Sequence, residues 1–284
     1  MGLKKKLYKV SVLILYQLLA IVILVLPLYL PVYQMLITAL RPADLPWLSP
    51  ASLFPEQVTL NNFNLAFRLV PRLPRYLLNS FIYGVGVAVV SLLIAIPSGY
   101  ALARFRFRLR EPLLMFILYA NMFAPIMLLV PIYVIMRMFG LINTYFSVIL
   151  SGATFTIPFS TWLTVSYMQT IPKELEEAAL VDGCSYYSLI PRVLLPAISP
   201  ALVAIFIYAF VTGWSQQFIL ALVLIKSDEL MPITQGLYQF FSRSSVQWNE
   251  LMAAILLSTL IPVVLFVSVQ KYITKGLTAG ALKD

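Results

Sequence analysis

One acidic stretch of this chain, closed by a glycine, has residue types and spacing suited to binding another molecule. Its acidic residues are Glu174, Glu176 and Glu177. Pro172 suits the first position of a helix, where a missing N–H costs nothing. Acidic residues in the first turns are stabilised by the positive end of the helix dipole. Gly183 readily adopts the left-handed conformation that ends many helices. The pattern therefore predicts a short helix from Lys173 to Asp182.

The predicted helix has one face of small side chains. Leu175, Ala178 and Ala179 lie at positions i, i+3 and i+4 and so share that face. Two alanines let the surface of another protein approach the backbone closely, which favours docking. The alternative is an interfacial helix lying on the membrane, although acidic first turns suit an anionic leaflet poorly. The residues alone leave both interpretations open.

Groups that perform catalysis are sparse in the rest of the chain. Histidine is absent, Cys184 is the single cysteine, and no segment matches the phosphate-binding pattern GxxxxGK[ST]. We therefore expect no metal site and no ATPase on this chain, and we expect that the protein is not an enzyme.

Composition indicates a membrane protein. The chain has 284 residues, of which 61% are hydrophobic and 11% charged, and its mean hydropathy is +0.91. A soluble domain is nearer to about half apolar and about a quarter charged, so the excess apolar surface must face lipid. The net charge of +9 would suit nucleic acid, but the apolar excess argues against that partner.

Six apolar stretches are long enough to cross a bilayer, whose core requires roughly 20 residues per helix. None of them contains Asp, Glu, Lys or Arg, and they are residues 10–36, 79–103, 112–136, 146–170, 197–225 and 251–270. The first is longer than the apolar region of a signal peptide, about 7 to 15 residues, so we predict a retained span.

The distribution of basic residues predicts the orientation. Thirteen of the 20 Lys and Arg residues fall on one side of the predicted spans, which identifies that side as cytoplasmic and both termini with it. The external segments are then 38–78, a turn near Gly140, and 226–250. A loop at 171–196 is cytoplasmic.

This cytoplasmic loop carries a recognisable spaced pattern. Glu177-Ala178-Ala179, then Gly183, then 193–196 (Val-Leu-Leu-Pro) resemble the EAA signature of bacterial ABC importer permeases, with valine in place of isoleucine. Other segments resemble carbohydrate-importer permeases, and residues 275–283 resemble the C-terminus of the smaller maltose-type permease subunit. The other segments are 79–80, 99–105, 131–133, 140–144, 158–159 and 162–163.

The resemblance implies an all-α, polytopic membrane protein with the type I ABC importer permease fold. Residues 1–284 would form a single transmembrane permease domain of six transmembrane helices with both termini cytoplasmic. The implied partners are a second permease subunit, two copies of an ATP-binding-cassette ATPase, an extracytoplasmic solute-binding protein and membrane lipid. ATP and Mg would be bound by the partner ATPase, with no cofactor on this chain.

The resemblance also assigns residues to the ATPase interface. The predicted helix would be the coupling helix in a groove of one ATPase, with contacts from Glu174, Glu177, Ala178, Ala179, Asp182 and Gly183. The C-terminal tail would lie along the same ATPase, with contacts from Gly276, Leu277, Thr278 and Gly280.

The external loop at 226–250 is long for a connection without a purpose and is rich in amides and aromatics. In maltose-type permeases the matching loop probes the sugar cleft of the binding protein. By resemblance, the binding-protein contacts would be Gln235, Tyr238, Gln239 and Trp248. The alternative is an interfacial aromatic belt.

The predicted spans contain polar residues that could line a pathway for sugars. Amides bind sugar hydroxyls and aromatic faces bind sugar C–H groups; the candidates are Asn121, Thr154, Trp214, Gln216 and Gln217. Interhelical hydrogen bonding is the alternative. Many relatives carry an acid within the run that matches 214–218, and its absence here suggests an uncharged solute. In the maltose system the larger partner makes most sugar contacts.

The leading hypothesis is therefore a permease subunit that imports a neutral carbohydrate, such as a disaccharide, oligosaccharide or polyol glycoside, across a bacterial or archaeal cytoplasmic membrane. One alternative is the same architecture importing glycerol phosphate compounds. Another is an ion-coupled secondary carrier, although protonatable groups are missing from the predicted spans.

Overall fold

The computed structural model describes residues 26–42, 57–242 and 246–281, together with positions 16, 17, 19, 20 and 22; of residues 272–281 only the backbone is described. Over these residues the chain is helical and contains no strand. The α-helices are α1 (Leu26–Leu40), α2 (Asn61–Leu69), α3 (Leu73–Arg104), α4 (Arg110–Ala120), α5 (Leu129–Met138), α6 (Tyr145–Gln169), α7 (Lys173–Val181), α8 (Tyr186–Leu189), α9 (Leu195–Ala197), α10 (Ser199–Leu224), α11 (Ile233–Tyr238) and α12 (Trp248–Ala281). The all-α fold that the sequence predicts is confirmed.

Four helices of the described residues are long and apolar enough to cross a membrane. They are α3, α6, α10 and the Trp248–Lys271 part of α12. They correspond to the second, fourth, fifth and sixth predicted spans, with ends that differ by up to six residues. Eleven of the 27 residues of the first predicted span, 10–36, lie outside the described residues, so the count of six and the position of the termini stay predictions.

The third predicted span, 112–136, is broken. Its two halves, Arg110–Ala120 and Pro125–Met138, are bent by 101° relative to each other. The cause is local: Pro125 disfavours a helical conformation at the residue before it, and Ala124 is extended, with φ −64° and ψ 132°. The segment is therefore not one continuous helix, and its crossing of the membrane stays a prediction.

The described residues divide into two compact units, 1–71 with 240–258 and 72–239 with 259–284. In the first unit, the side-chain amide of Asn62 donates hydrogen bonds to the backbone oxygens of Ala39 and Arg41 at 2.8 and 2.7 Å. Asn249 donates to the same Arg41 oxygen at 2.9 Å. These bonds satisfy carbonyls that the end of α1 leaves without helical partners. The expectation of one permease domain stays a prediction.

The second unit is built on α3, α6 and α10, which pack side by side. A Cβ atom at Gly99 of α3 would lie 2.5 Å from Cγ2 of Thr164 on α6, and one at Gly86 would lie 2.5 Å from Cδ1 of Ile149. Small residues at such positions let membrane helices approach closely. Ser91 of α3 and Thr156 of α6 also share a buried hydrogen bond of 2.5 Å. The three helices thus form a close-packed support for the loops at both ends.

Candidate functional site

Residues 171–196 contain the helix that the sequence predicts: α7 begins at Lys173 as expected and ends at Val181, one residue before the predicted end at Asp182. Pro172 precedes α7 in an extended conformation instead of occupying its first position. At the other end Gly183 has φ +88°, its N–H donates to the Leu180 oxygen, and the N–H of Cys184 donates to the Ala179 oxygen. This pair of bonds is the Schellman ending, which requires the left-handed conformation, so the predicted helix ending at Gly183 is confirmed, while its contact with an ATPase stays a prediction.

Most residues that the resemblance assigns to the ATPase interface are accessible on α7. Glu174, Glu177, Ala178, Asp182 and Gly183 are exposed. Ala179 is half-buried and packs against the apolar cluster that contains Tyr100 and Leu194. Two large apolar side chains on the same loop are also exposed, Val181 at 87% and Tyr187 at 94%. The loop therefore presents a mixed acidic and apolar surface.

Sequence reasoning missed the role of Glu176. Its carboxylate Oε1 accepts a 2.5 Å hydrogen bond from Nε of Arg104, the last residue of α3, and both side chains are about nine-tenths buried. Nη2 of the same arginine donates to the backbone oxygen of Ile171 at 2.9 Å. Glu176 thus holds α7 to the end of α3. No signal in the sequence separates Glu176 from Glu174 and Glu177, because its partner Arg104 is 72 residues away.

The N-terminal end of α3, predicted to be external, is bound to the segment that follows α10. Arg72 Nη1 lies 2.5 Å from Asp228 Oδ2, and the Tyr76 hydroxyl bonds the same carboxylate. Asn79 donates to the backbone oxygens of Glu229 and Met231, both at 2.8 Å.

Two further residues of α3 extend this attachment. The Tyr83 hydroxyl donates to the Leu230 oxygen at 2.7 Å, and the Ser80 hydroxyl accepts from the N–H of Ile233 at 2.8 Å. Residues 228–233, here called the outer segment, are therefore held by Arg72, which directly precedes α3, and by four polar residues that the helix places on one side: Tyr76, Asn79, Ser80 and Tyr83.

Asn143 fixes the start of the loop at 226–250. Its side-chain Oδ1 accepts hydrogen bonds from the backbone N–H groups of Lys226 and Ser227 at 2.9 and 2.8 Å. Its own N–H donates to the Leu224 oxygen at 2.8 Å, and its φ of +63° is one that asparagine tolerates better than most residues. The turn after α5 thereby caps the end of α10.

The residues assigned to binding-protein contact lie in different surroundings. Tyr238 is 62% exposed, with its ring 5.9 Å from that of Phe218. Gln239 donates to the Tyr76 hydroxyl at 3.2 Å, and Gln235 is half-buried. Trp248 is 38% exposed, and its ring meets that of Phe241 edge-on. Their contact with a binding protein stays a prediction.

The residues assigned to the pathway do not form one cluster of free polar groups. Asn121 and Thr154 are exposed and bond carbonyls of their own helices. Trp214 is half-buried against Phe210. Gln216 is half-buried, whereas Gln217 is fully buried and donates to the Ser80 backbone oxygen at 2.9 Å. The structure thus gives Gln217 a helix-packing bond, and a pathway role for these residues stays a prediction.

The C-terminal residues assigned to the ATPase, Gly276, Leu277, Thr278 and Gly280, continue the backbone of α12 as helix to Ala281. Their contact with an ATPase stays a prediction. In the described part of the chain, no group of three or more Cys, Asp or Glu residues is arranged to hold a metal ion.

Helices long and apolar enough to cross a membrane place the chain in the class of membrane proteins. Residues 95–279, well over half of the chain, match the family of binding-protein-dependent transport system inner membrane components. The chain belongs to this family. It is an ABC importer permease subunit embedded in the membrane, a transporter component and not an enzyme. The family and function expected from the EAA resemblance are confirmed.

Similar proteins match nearly the whole chain. The sulfoquinovosyl glycerol transport system permease protein SmoH of Agrobacterium fabrum is 32% identical over 253 residues, 89% of this chain and 88% of that protein. The diacetylchitobiose uptake system permease protein DasC of Streptomyces coelicolor is 33% identical over 263 residues, 92% and 94% of the two chains. A bacterial ABC transporter involved in importing the acidic polysaccharide alginate has the same fold, with a TM-score of 0.74 at 21% identity over 96% of this chain and 98% of that chain. Importer permeases of this kind work with a second permease, an ATPase and a solute-binding protein.

Proposed function

We propose that the chain is one of two different permease subunits that together import a carbohydrate or glycoside. The observation that carries the proposal is the similarity over about nine-tenths of the chain to permeases whose names specify sulfoquinovosyl glycerol and diacetylchitobiose. Half-buried aromatic side chains in the spans agree with it: the Phe159 and Tyr208 rings are 4.6 Å apart across α6 and α10, and Phe159 also stacks on Trp162. Such rings suit the C–H faces of sugars.

In this proposal α7 is the coupling helix of the subunit. Its exposed residues Glu174, Glu177, Ala178 and Asp182 enter a groove of one of two ATPase subunits, which bind ATP and Mg. The exposed surface of α7 supports this role. Acids at the start of the helix can pair with basic or N–H donors of the groove, and the small side chain of Ala178 lets the groove approach the backbone closely. Closure of the ATPases on ATP then moves α7.

The external loop receives the solute-binding protein. Tyr238 is its most accessible assigned residue, while Gln239 is bonded back to Tyr76 and is suited to positioning the loop. The complex would work in a bacterial or archaeal cytoplasmic membrane, with Trp214 and Gln216 beside the solute as it passes.

The proposal is tested by purifying the complex in mild detergent from its native host and identifying the bound proteins by mass spectrometry. We expect a second permease and an ATPase, with ATP hydrolysis stimulated by a binding protein loaded with a carbohydrate. Stimulation only by glycerol phosphate compounds would overturn the assigned solute. Solute uptake by the chain alone, in liposomes that hold an ion gradient and no ATP, would overturn the assignment of the chain to an ATP-driven importer.

A matched pair of variants tests the docking site. Glu177→Ala is expected to release most of the ATPase during purification because it removes an exposed acid from the docking surface. Glu111→Ala removes an acid that is also exposed but lies at the start of α4, and it should leave the ATPase bound. Equal recovery of the ATPase from both variants would contradict docking through Glu177.

A further inference from the structure

One helix, α3, is held at both of its ends to the segments that face other subunits in the proposed assembly. At the inner end, Arg104 pairs with Glu176 of α7 at 2.5 Å and donates to the Ile171 oxygen at 2.9 Å. The two side chains are 9% and 10% exposed. A buried ion pair with a second hydrogen bond resists separation, because parting it leaves an uncompensated charge out of water.

At the outer end, the attachment uses many bonds. Asn79, Ser80 and Tyr83 bond the backbone of the outer segment, and Arg72 bonds the side chain of Asp228. Tyr145 of α6 donates to Asn79 Oδ1 at 2.7 Å, which orients the Asn79 amide toward the segment. The outer segment therefore cannot move far without α3.

The two attachments are joined by continuous helix. The 32 residues of α3 span about 48 Å at 1.5 Å per residue. Pro97 removes one internal hydrogen bond near the inner end, but Gly99 in the same turn packs directly on Thr164, so α6 supports the helix where its own bonding is weakest.

From this geometry we infer that α3 is a strut that carries displacement of α7 to the outer segment, and that Arg104 and Glu176 are the positioning residues that connect it. The inference goes beyond the proposed function and rests on it in one respect, the docking of α7 on the ATPase. Arg104 and Glu176 touch neither nucleotide nor solute in this role. They determine whether movement at α7 reaches the external surface.

The test uses the complete complex and a reporter that needs no solute. The side chain of Glu229 is exposed, and the bond from Asn79 uses only the backbone oxygen of Glu229, so this side chain can be replaced without breaking that bond. In a Cys184→Ser background, Glu229→Cys is labelled with a membrane-impermeant maleimide, with and without Mg–ATP and vanadate. With the Arg104–Glu176 pair intact, we expect nucleotide to change the labelling rate by about tenfold, a typical size for coupling between sites.

Three variants then isolate the pair. Glu176→Gln should abolish the nucleotide effect on labelling while the ATPase remains bound and hydrolyses ATP. The swapped double variant Arg104→Glu/Glu176→Arg should restore most of the effect. Glu111→Gln, which neutralises an exposed acid paired with Arg110, should behave as the wild-type protein.

Each result decides the matter. A nucleotide effect that survives in Glu176→Gln, or that is absent with the intact pair, overturns the inference. If Glu176→Gln fails to assemble, the swapped variant decides: an assembled complex with the effect supports the strut, and one without it overturns the strut. Failure of the wild-type chain to retain an ATPase would instead overturn the proposed docking, which is a separate readout.

Discussion

The side-chain amide of Gln217 donates a 2.9 Å hydrogen bond to the backbone oxygen of Ser80, and both residues are fully buried. The Ser80 hydroxyl accepts from Ile233 on the other side. One serine therefore links α3 to α10 through its carbonyl and to the outer segment through its hydroxyl. The bond gives Gln217 a structural reason to be polar within an apolar span.

Gln217→Ala should lower the stability of the complex by about 1–2 kcal/mol, because it leaves the buried Ser80 carbonyl without that donor. Thermal unfolding in detergent would measure the loss. Ser215→Ala is the control, since Ser215 is exposed and bonds only Thr212 of its own helix, and it should cost less than about 0.5 kcal/mol. Unchanged stability in Gln217→Ala, together with altered solute preference, would favour the pathway role.

Substitutions at Asn143 should separate hydrogen bonding from backbone conformation. Asn143→Ala loses two accepted bonds and keeps the unfavourable positive φ, so we expect a loss of about 2–3 kcal/mol. Asn143→Asp retains an acceptor for both N–H groups and should lie within about 1 kcal/mol of the wild type. Unfolding temperature and proteolysis at 226–232 are the measurements. An aspartate variant as unstable as the alanine variant would show that these bonds contribute little.

Two glycines with positive φ provide a matched pair on different loops. A Cβ atom at Gly183 (φ +88°) or at Gly140 (φ +66°) would have no atom within 4 Å beyond those of the neighbouring residues in the chain. Alanine at either site therefore meets only backbone strain, of about 1–2 kcal/mol. Both alanine variants should lose similar stability. ATP-coupled transport should fall further in Gly183→Ala, because the strain falls on the ending of α7. Equal transport activity in the two variants would argue against a functional role for that ending.

Gly99 and Gly86, two glycines of α3 that closely approach α6, should differ in how well they tolerate substitution by alanine. An added methyl at Gly99 meets Cβ and Cγ2 of Thr164 at 2.6 and 2.5 Å, atoms that sit near the α6 backbone. At Gly86 the nearest atom is Cδ1 of Ile149 at 2.5 Å, the end of that side chain, which can move more easily than Cβ of Thr164. Gly99→Ala should therefore cost about 1–3 kcal/mol and Gly86→Ala clearly less. Chemical unfolding of both variants checks the order, and the reverse order would contradict it.

The features that sequence predicted best are local in the chain. Long apolar runs predicted α3, α6, α10 and α12, and Gly183 predicted its own left-handed turn. The break at Ala124-Pro125 is equally local, but the hydropathy of residues 112–136 is continuous across it and concealed the signal. Apolar length therefore predicted that the segment belongs to the membrane and did not predict its path.

The contacts that position the functional loops are long-range and could not be predicted from spacing. Arg104 and Glu176 are 72 residues apart, and Asn79 is 150 residues from Glu229. Glu176 sits among three acids of similar sequence context, and only the packing of α7 on α3 distinguishes the buried one. Similarly, Gln216 and Gln217 are adjacent amides, and only the long-range contact with Ser80 shows that Gln217 is the fully buried one.

The attachment of the outer segment has an evolutionary consequence. Asn79, Ser80 and Tyr83 bond backbone atoms of residues 229, 230, 231 and 233. Any amino acid supplies these backbone atoms, except that proline at 233 would lack the N–H. Exposed side chains such as Glu229 can consequently diverge between lineages while the loop keeps its place. If this loop receives the solute-binding protein as proposed, recognition of a new one requires only point substitutions at a few surface positions, with no need to rebuild the framework that presents them.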